Sequence, residues 1–122
     1  MMLINTLQPI YTAKVLIDQI VARKQRSAIV VTSSGMGDRP IAGNTTYSAT
    51  KSFASFLARG LSYELSGKVD CLDWCCGMTS TNMVRRSVGG EIVSVTTAVK
   101  GMFSSLGKQR TTWGCLNHDL LM

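Results

Sequence analysis

Apolar positions follow two rhythms along the chain. Around Asn5 to Lys24, Leu7, Ile10, Tyr11, Lys14, Val15, Asp18 and Val21 recur at three- and four-residue steps, with Leu3, Leu16 and Ile20 mixed among them. That period predicts a helix. Pro9 is compatible with it only in the first turn, where a missing N–H costs nothing, and the charged Arg23-Lys24-Gln25-Arg26 stops it. The next stretch, Ser27 to Ser33 (SAIVVTS), is a β-branched apolar run without alternation. Such a run reads as a strand buried on both faces of a parallel sheet. Gly35, Gly37, Asp38, Pro40, Gly43 and Asn44 punctuate a loop over 35–44. A second helix is predicted from Thr45 to Leu65, with Phe53, Phe56, Leu57, Leu61 and Leu65 on its core face and Ser66-Gly67 as its stop.

Lys68 to Cys76 (KVDCLDWCC) predicts a second strand with Val69, Cys71 and Trp74 as core positions; Asp73 is out of character there. A polar connection spans 77–90. A third helix is predicted from Glu91 to Leu106, with Ile92, Val95, Val99, Met102 and Phe103 in step, and the tail Thr111 to Met122 carries a short apolar segment. Strands alternating with helices imply right-handed crossovers and a parallel α/β sheet. Two strands are too few for a stable doubly wound sheet, so further strands are expected before Met1, and one more after the third helix is an option.

Composition narrows the picture. With 122 residues, 45% of them hydrophobic and 16% charged, the chain suits one modest domain and is not disordered. A mean hydropathy of +0.15 is high for so short a chain and suggests faces that lie against other structure. The net charge is +6. The basic residues, however, are scattered as Arg23, Lys24 and Arg26, then Arg85 and Arg86, then Lys108 and Arg110, at predicted helix ends and loops, so no nucleic acid is expected. Cys71, Cys75, Cys76 and Cys115 form no C-x-x-C pair, and His118 is not spaced to complete a zinc set; free buried thiols and a reducing, intracellular setting are the expectation. No signal peptide is apparent, and no apolar run reaches the ~18–20 residues of a membrane span.

The candidate chemistry lies in Ser34, at the end of the first strand, and in Tyr47 and Lys51, at the start of the second helix. A four-residue step stacks Tyr47 and Lys51 on one helix face. A phenol is a poor acid at neutral pH, and a neighbouring ammonium favours the phenolate. Tyr47 can then give a proton to a carbonyl oxygen or take one from an alcohol. Ser34 sits at the carboxyl end of a strand, where open parallel sheets bind ligands, and its hydroxyl can donate to the substrate oxygen.

At these residues the chain resembles the short-chain dehydrogenase/reductase family, through V-V-T-S-S-G-M-G and Y-S-A-T-K-S-F. The branch it looks most like holds the 17-beta-hydroxysteroid dehydrogenases and very-long-chain 3-oxoacyl-CoA reductases, whose C-terminal Gly-Tyr-x-x-His-Ala-Leu stretch the tail T-T-W-G-C-L-N-H-D-L-L-M loosely resembles. The resemblance implies an NAD(P)-dependent oxidoreductase interconverting a carbonyl and an alcohol. It implies that Lys51 also holds the nicotinamide ribose, and that Asn5 holds a water in a proton relay with Lys51. The family's Pro-Gly-x-Val-x-Thr, which contacts the nicotinamide, is matched by Cys76-Gly77-Met78-Thr79-Ser80-Thr81, with Gly77 and Thr81 kept, Cys76 in place of Pro and Thr79 in place of Val. Candidate catalytic residues are therefore Ser34, Tyr47, Lys51 and Asn5; candidate cofactor contacts for NADP or NAD are Tyr47, Lys51, Gly77, Thr79 and Thr81.

The fold implied is the C-terminal half of a Rossmann-like doubly wound parallel sheet, residues 1–122 forming the catalytic part of an NAD(P)-binding domain without its N-terminal βαβ units. No Gly-x-x-x-Gly-x-Gly loop and no Asn-Asn-Ala-Gly occurs. The glycine loop is what admits a pyrophosphate to a helix N-terminus, so the chain alone is expected to bind NAD(P)H weakly and to be inactive. It is then either a truncated reductase or a pseudoenzyme that binds partners. The family packs the helices matching 5–24 and 45–65 into a homodimer interface. Met36, Met83 and Val84 hint at an apolar substrate of steroid or fatty-acyl type. The branch implies cytoplasmic or endoplasmic-reticulum placement.

Overall fold

The computed structural model describes residues 1–85, 87–115 and 118. Its sheet follows from the apolar runs. β1 (Ser27–Thr32) lies parallel to β2 (Val69–Trp74), in a register that pairs Ser27 with Val69 and Thr32 with Trp74. β2 is central: its other edge pairs in parallel with β5 (Thr111–Thr112), Asp73 opposite Thr111 and Trp74 opposite Thr112. The third strand is thus supplied by the tail, at the start of the stretch read as carrying a short apolar segment. Two threonines are too short a run to show a period, and pairing with β2 alone makes them a strand. A separate two-stranded parallel ladder joins β3 (Thr79–Ser80) to β4 (Val93–Ser94) inside what the sequence presents as a polar connection and the start of a helix.

The first helix departs from its expected bounds. A π-helical turn, Leu3–Leu7, runs into α1 (Gln8–Ala22). Pro9 occupies the first turn of α1, where it was expected. It cannot donate to a carbonyl one turn back, and the wider π turn sits just upstream, closed by Gln8 N–H to the Leu3 carbonyl. α2 (Thr45–Glu64) ends near its expected position, and Gly67 beyond it takes φ +81°, a conformation that favours glycine. α3 (Val95–Ser105) starts later than expected because Val93 and Ser94 are in β4. The Ser94 side chain then caps the helix by accepting from Thr97 N–H at 3.1 Å.

The core forms where α1 and α2 meet over the sheet. Leu61, Leu65, Val69 and Cys71 are buried there, with Ala13, Ile17, Ile20, Val21, Ile29 and Leu57 packed against them. Three expectations are corrected. In β1, no residue from Ser27 to Thr32 is fully buried within these 122 residues, where β2 is its one partner strand among the described residues. The core face of α2 is not the phenylalanine face. Ala54, Ser55, Ala58, Leu61 and Ser62 are buried, while Phe56 is 71% exposed; close approach of helix to sheet favours the small side chains. In α3, Ala98 and Met102 are buried while Val95 and Phe103 face outward.

Candidate active site

Ser34 leaves the end of β1 and caps a short 3-10 turn, Gly35–Gly37, its Oγ accepting from Met36 N–H at 3.3 Å. That turn lies directly on α2. A Cβ placed on Gly37 would come within 2.9 Å of the Lys51 backbone carbon, so only glycine allows the approach. The Ser52 hydroxyl closes the contact by donating to the Gly37 carbonyl. The strand-end serine and the helix bearing Tyr47 and Lys51 are thereby in direct contact.

On α2, Tyr47 is half-buried and the Lys51 ammonium lies 5.8 Å from the centre of its ring. Lys51 Nζ donates to the Thr32 carbonyl at 3.0 Å. Ser33 N–H bonds across to Trp74 on the β2 side, and backbone groups alternate in direction along a strand, so the Thr32 carbonyl points to the open edge of β1. Burial of the ammonium draws the Lys51 pKa below its ordinary value, against a smaller opposing pull from Cys76. Lys51, Thr32 and Asn5 line one open cleft of about 490 Å³ between α1 and β1. Asn5 shares this cleft with Lys51 but donates through Nδ2 to Thr50 Oγ1 at 3.0 Å, and Thr50 in turn donates to the Tyr47 carbonyl at 2.7 Å. Asn5 therefore ties the N-terminal turn to the helix that carries Tyr47.

The 76–81 segment lies beyond β2. Thr79 Oγ1 donates to the Gly77 carbonyl at 3.3 Å and meets Cys76 Sγ at 3.6 Å. Thr81 is exposed, and its hydroxyl accepts from Val84 N–H at 3.4 Å, capping a turn. Sequence reasoning missed the reason Gly77 is required. The buried His118 ring lies so close that a Cβ on Gly77 would come within 2.6 Å of it. His118 Nε2 lies 3.2 Å from both the Met78 and Glu91 carbonyls, and Nδ1 lies 3.3 Å from the Trp113 carbonyl. The imidazole thus pins the segment after β2 to the tail. Residues 116, 117 and 119–122 of the tail motif, and Arg86, lie outside the described residues. Of the apolar pocket candidates, Met83 is 93% exposed, while Met36 and Val84 are half-buried.

Asp73 has no exposed surface. Its oxygens are held by hydroxyls: Ser33 Oγ donates to Oδ1 and Ser55 Oγ to Oδ2, the latter at 2.5 Å. Cys75 Sγ lies 3.7 Å from the same carboxylate, and burial above all pushes its thiol pKa up to about 12. The signal for this cluster was an aspartate in an apolar strand; nothing in the spacing pointed to its two serine partners.

The sequence profile of the short chain dehydrogenases matches residues 1–92. The chain belongs to the short-chain dehydrogenase family. Among solved structures it is similar to the bulky-bulky ketone specific alcohol dehydrogenase from Comamonas testosteroni, at 28% identity and a TM-score of 0.69, over 83% of this chain and 39% of that one. It is also similar to a short-chain dehydrogenase/reductase, glucose/ribitol dehydrogenase, from Brucella melitensis, at 30% identity and a TM-score of 0.59, over 67% and 32% of the two chains. A 7beta-hydroxysteroid dehydrogenase shares the fold, at 23% identity and a TM-score of 0.70, over 91% and 44%. The chain thus spans less than half the length of these short-chain dehydrogenase structures. No curated protein matches it in sequence. The fold is the Rossmann-like parallel α/β arrangement of the family, in part. Among the described residues, no helix is long and apolar enough to cross a membrane.

Proposed function

We propose that residues 1–122 carry the proton-handling part of a nicotinamide-dependent oxidoreductase that interconverts a carbonyl and an alcohol on a bulky apolar substrate. The observation that carries this reading is the contact between the Ser34 turn and the Tyr47–Lys51 face of α2, made through Gly37. In reduction, Tyr47 gives its phenolic proton to the carbonyl oxygen as that oxygen gains charge; in oxidation it takes the proton from the alcohol. Lys51 holds positive charge one helical turn away and stabilises the phenolate. Ser34 donates to the same substrate oxygen. Through Thr50, Asn5 holds the helix at Tyr47, and it faces Lys51 across the cleft, which suits a water-borne proton path between them.

The residues present fit the nicotinamide end of an NADP or NAD molecule. A lysine ammonium on the wall of an open cleft is suited to the vicinal hydroxyls of a ribose, and beyond β2 the exposed Thr81 offers a hydroxyl, with Gly77 and Thr79 shaping the backbone before it. When bound, the nicotinamide supplies the two-electron step. The sequence has no glycine-rich phosphate cradle, so affinity for the whole dinucleotide from these residues alone is expected to be weak.

Two measurements test the reading. Fluorescence titration of the 122-residue chain with NADPH is expected to show no micromolar binding; saturation in that range overturns the expected weakness. Fusion of residues 1–122 to the N-terminal remainder of the Comamonas alcohol dehydrogenase is expected to give ketone reduction that Tyr47→Phe abolishes while NADPH affinity holds. A folded, NADPH-binding fusion whose turnover survives Tyr47→Phe overturns the proton role.

A second reading, a non-catalytic partner-binding module, draws on the outward apolar side chains of the N-terminal turn, α1 and α2. Leu3, Ile4, Tyr11, Val15 and Phe56 are each more than 60% exposed. Association through these helices as a homodimer would cover them, and size-exclusion chromatography with a stable monomer would count against it.

A further inference from the structure

We infer that Asp73 is a positioning residue of the Ser34–Tyr47–Lys51 centre, its carboxylate gripping Ser33 on one side and Ser55 on the other so as to fix the gap between the Ser34 turn and the helix face that carries Tyr47 and Lys51. The inference rests on the reading of that centre given above.

An aspartate with no exposed surface, in the central strand of a small sheet, is an expensive choice. A leucine-sized side chain would fill the same space with no desolvation cost, as its neighbour Leu72 does, also with no exposed surface. The carboxylate is held by neutral donors, and those donors come from two different elements. Ser33 is the residue immediately before Ser34. Ser55 stands four residues after Lys51 and eight after Tyr47, on the same face of α2 at helical steps. One rigid, two-oxygen group on β2 therefore holds the strand end that carries Ser34 and the helix turn that follows Lys51. β2 is itself held on both edges: Asp73 N–H donates to the Arg110 carbonyl at 2.8 Å, and Ser33 N–H donates to the Trp74 carbonyl at 2.9 Å. The anchor is thus hydrogen-bonded to a neighbouring segment on each side.

The geometry bears on rate because a displacement of about 1 Å by a residue away from the reacting atoms can cost about 10²-fold. The turn also meets α2 directly, through Gly37 and the Ser52 hydroxyl, and Lys51 Nζ bonds to the Thr32 carbonyl. The two hydroxyl bonds to Asp73 add a reference on β2 common to both elements, because they leave β1 and α2 at different points and converge on one carboxylate.

The test uses the 122-residue chain and needs no turnover, so it separates failure of this inference from failure of the oxidoreductase reading. Amide hydrogen exchange is followed at Met36 and Gly37, whose N–H groups bond to Ser34, and at Leu72 as a report on global stability; the Tyr47 ring is followed by NMR. In Asp73→Leu, exchange at Met36 and Gly37 is expected to quicken by roughly tenfold more than at Leu72, with a shift of the Tyr47 ring signals. Asp73→Asn, which still offers one acceptor and one donor to the two serines, is expected to restore most of the protection. Equal changes at all three amides, or no rescue by asparagine, overturn the positioning role. If Asp73→Leu does not fold, Ser33→Ala and Ser55→Ala decide. Ser33→Ala is expected to loosen Met36 and Gly37, and Ser55→Ala to shift the Tyr47 ring; silence in both readouts overturns the inference.

Discussion

The seam between α2 and β2 and the outer flank of β1 belong to the same parallel ladder, yet they are opposite in character. At the seam, small side chains let helix and sheet close together, and the charged Asp73 is enclosed with its oxygens bonded to hydroxyls. At the flank, β1 has only one neighbouring strand, and the cleft beside it opens between β1 and an α1 whose outer face shows Tyr11 and Val15. The candidate centre straddles the two. Ser34 and the backbone of Lys51 are fixed to the seam, whereas the Lys51 ammonium and Asn5 look into the open cleft.

The largest effect is expected from Leu72→Ala, which removes a side chain with no exposure from the central strand; chemical denaturation should show a loss of about 2–5 kcal/mol. A smaller loss would mean that the face of β2 opposite Asp73 is loosely packed. Gly37→Ala should cost about 1–3 kcal/mol, because the new methyl meets the Lys51 backbone and must push the Ser34 turn off α2. Gly77→Ala should likewise displace the His118 ring, visible as a change in its NMR signals.

Alkaline titration distinguishes the two regions by sign. Burial holds Cys75 neutral, so its contribution to stability is complete below the ordinary thiol value of 9.0 and is lost as pH rises toward about 12. Lys51 has the opposite sign. Its pKa is lowered in the fold, so the cost of its buried charge is full below that lowered value and is relieved as pH rises toward 10.5. Cys75→Ala should therefore flatten the fall in melting temperature above pH 9.0, and Lys51→Met should steepen it; matching slopes in both variants would refute the assignment. The smallest effect belongs to the flank. Val15→Ser, at a position 68% exposed, should change stability by no more than about 0.5 kcal/mol. A larger loss would reveal that this face is already covered in solution, by a second copy or another partner.

Much of this is legible in the sequence. The three long helices and two long strands follow from period, β-branching and the glycine and proline stops, because those features act within a few residues of where they stand. The Tyr47–Lys51 pair was legible for the same reason: one helical turn fixes its spacing. Other features depend on contacts between distant parts of the chain. Two threonines become β5 only through β2, and four residues at 79–80 and 93–94 become a ladder only through each other. Phe53 and Phe56 satisfy a helical period, but the close approach of α2 to the sheet admits alanine and serine in their place.

The alternation of helices and strands, the parallel α/β class and the candidate trio Ser34, Tyr47 and Lys51 are written locally in the chain, because short-range periodicity and side-chain chemistry suffice for these. That Asp73 joins Ser33 to Ser55 across 40 and 18 residues, and that Gly77 yields its space to His118, comes from the fold. Each of these is a matter of which surfaces meet, and partners far apart in the chain leave no periodic trace in it.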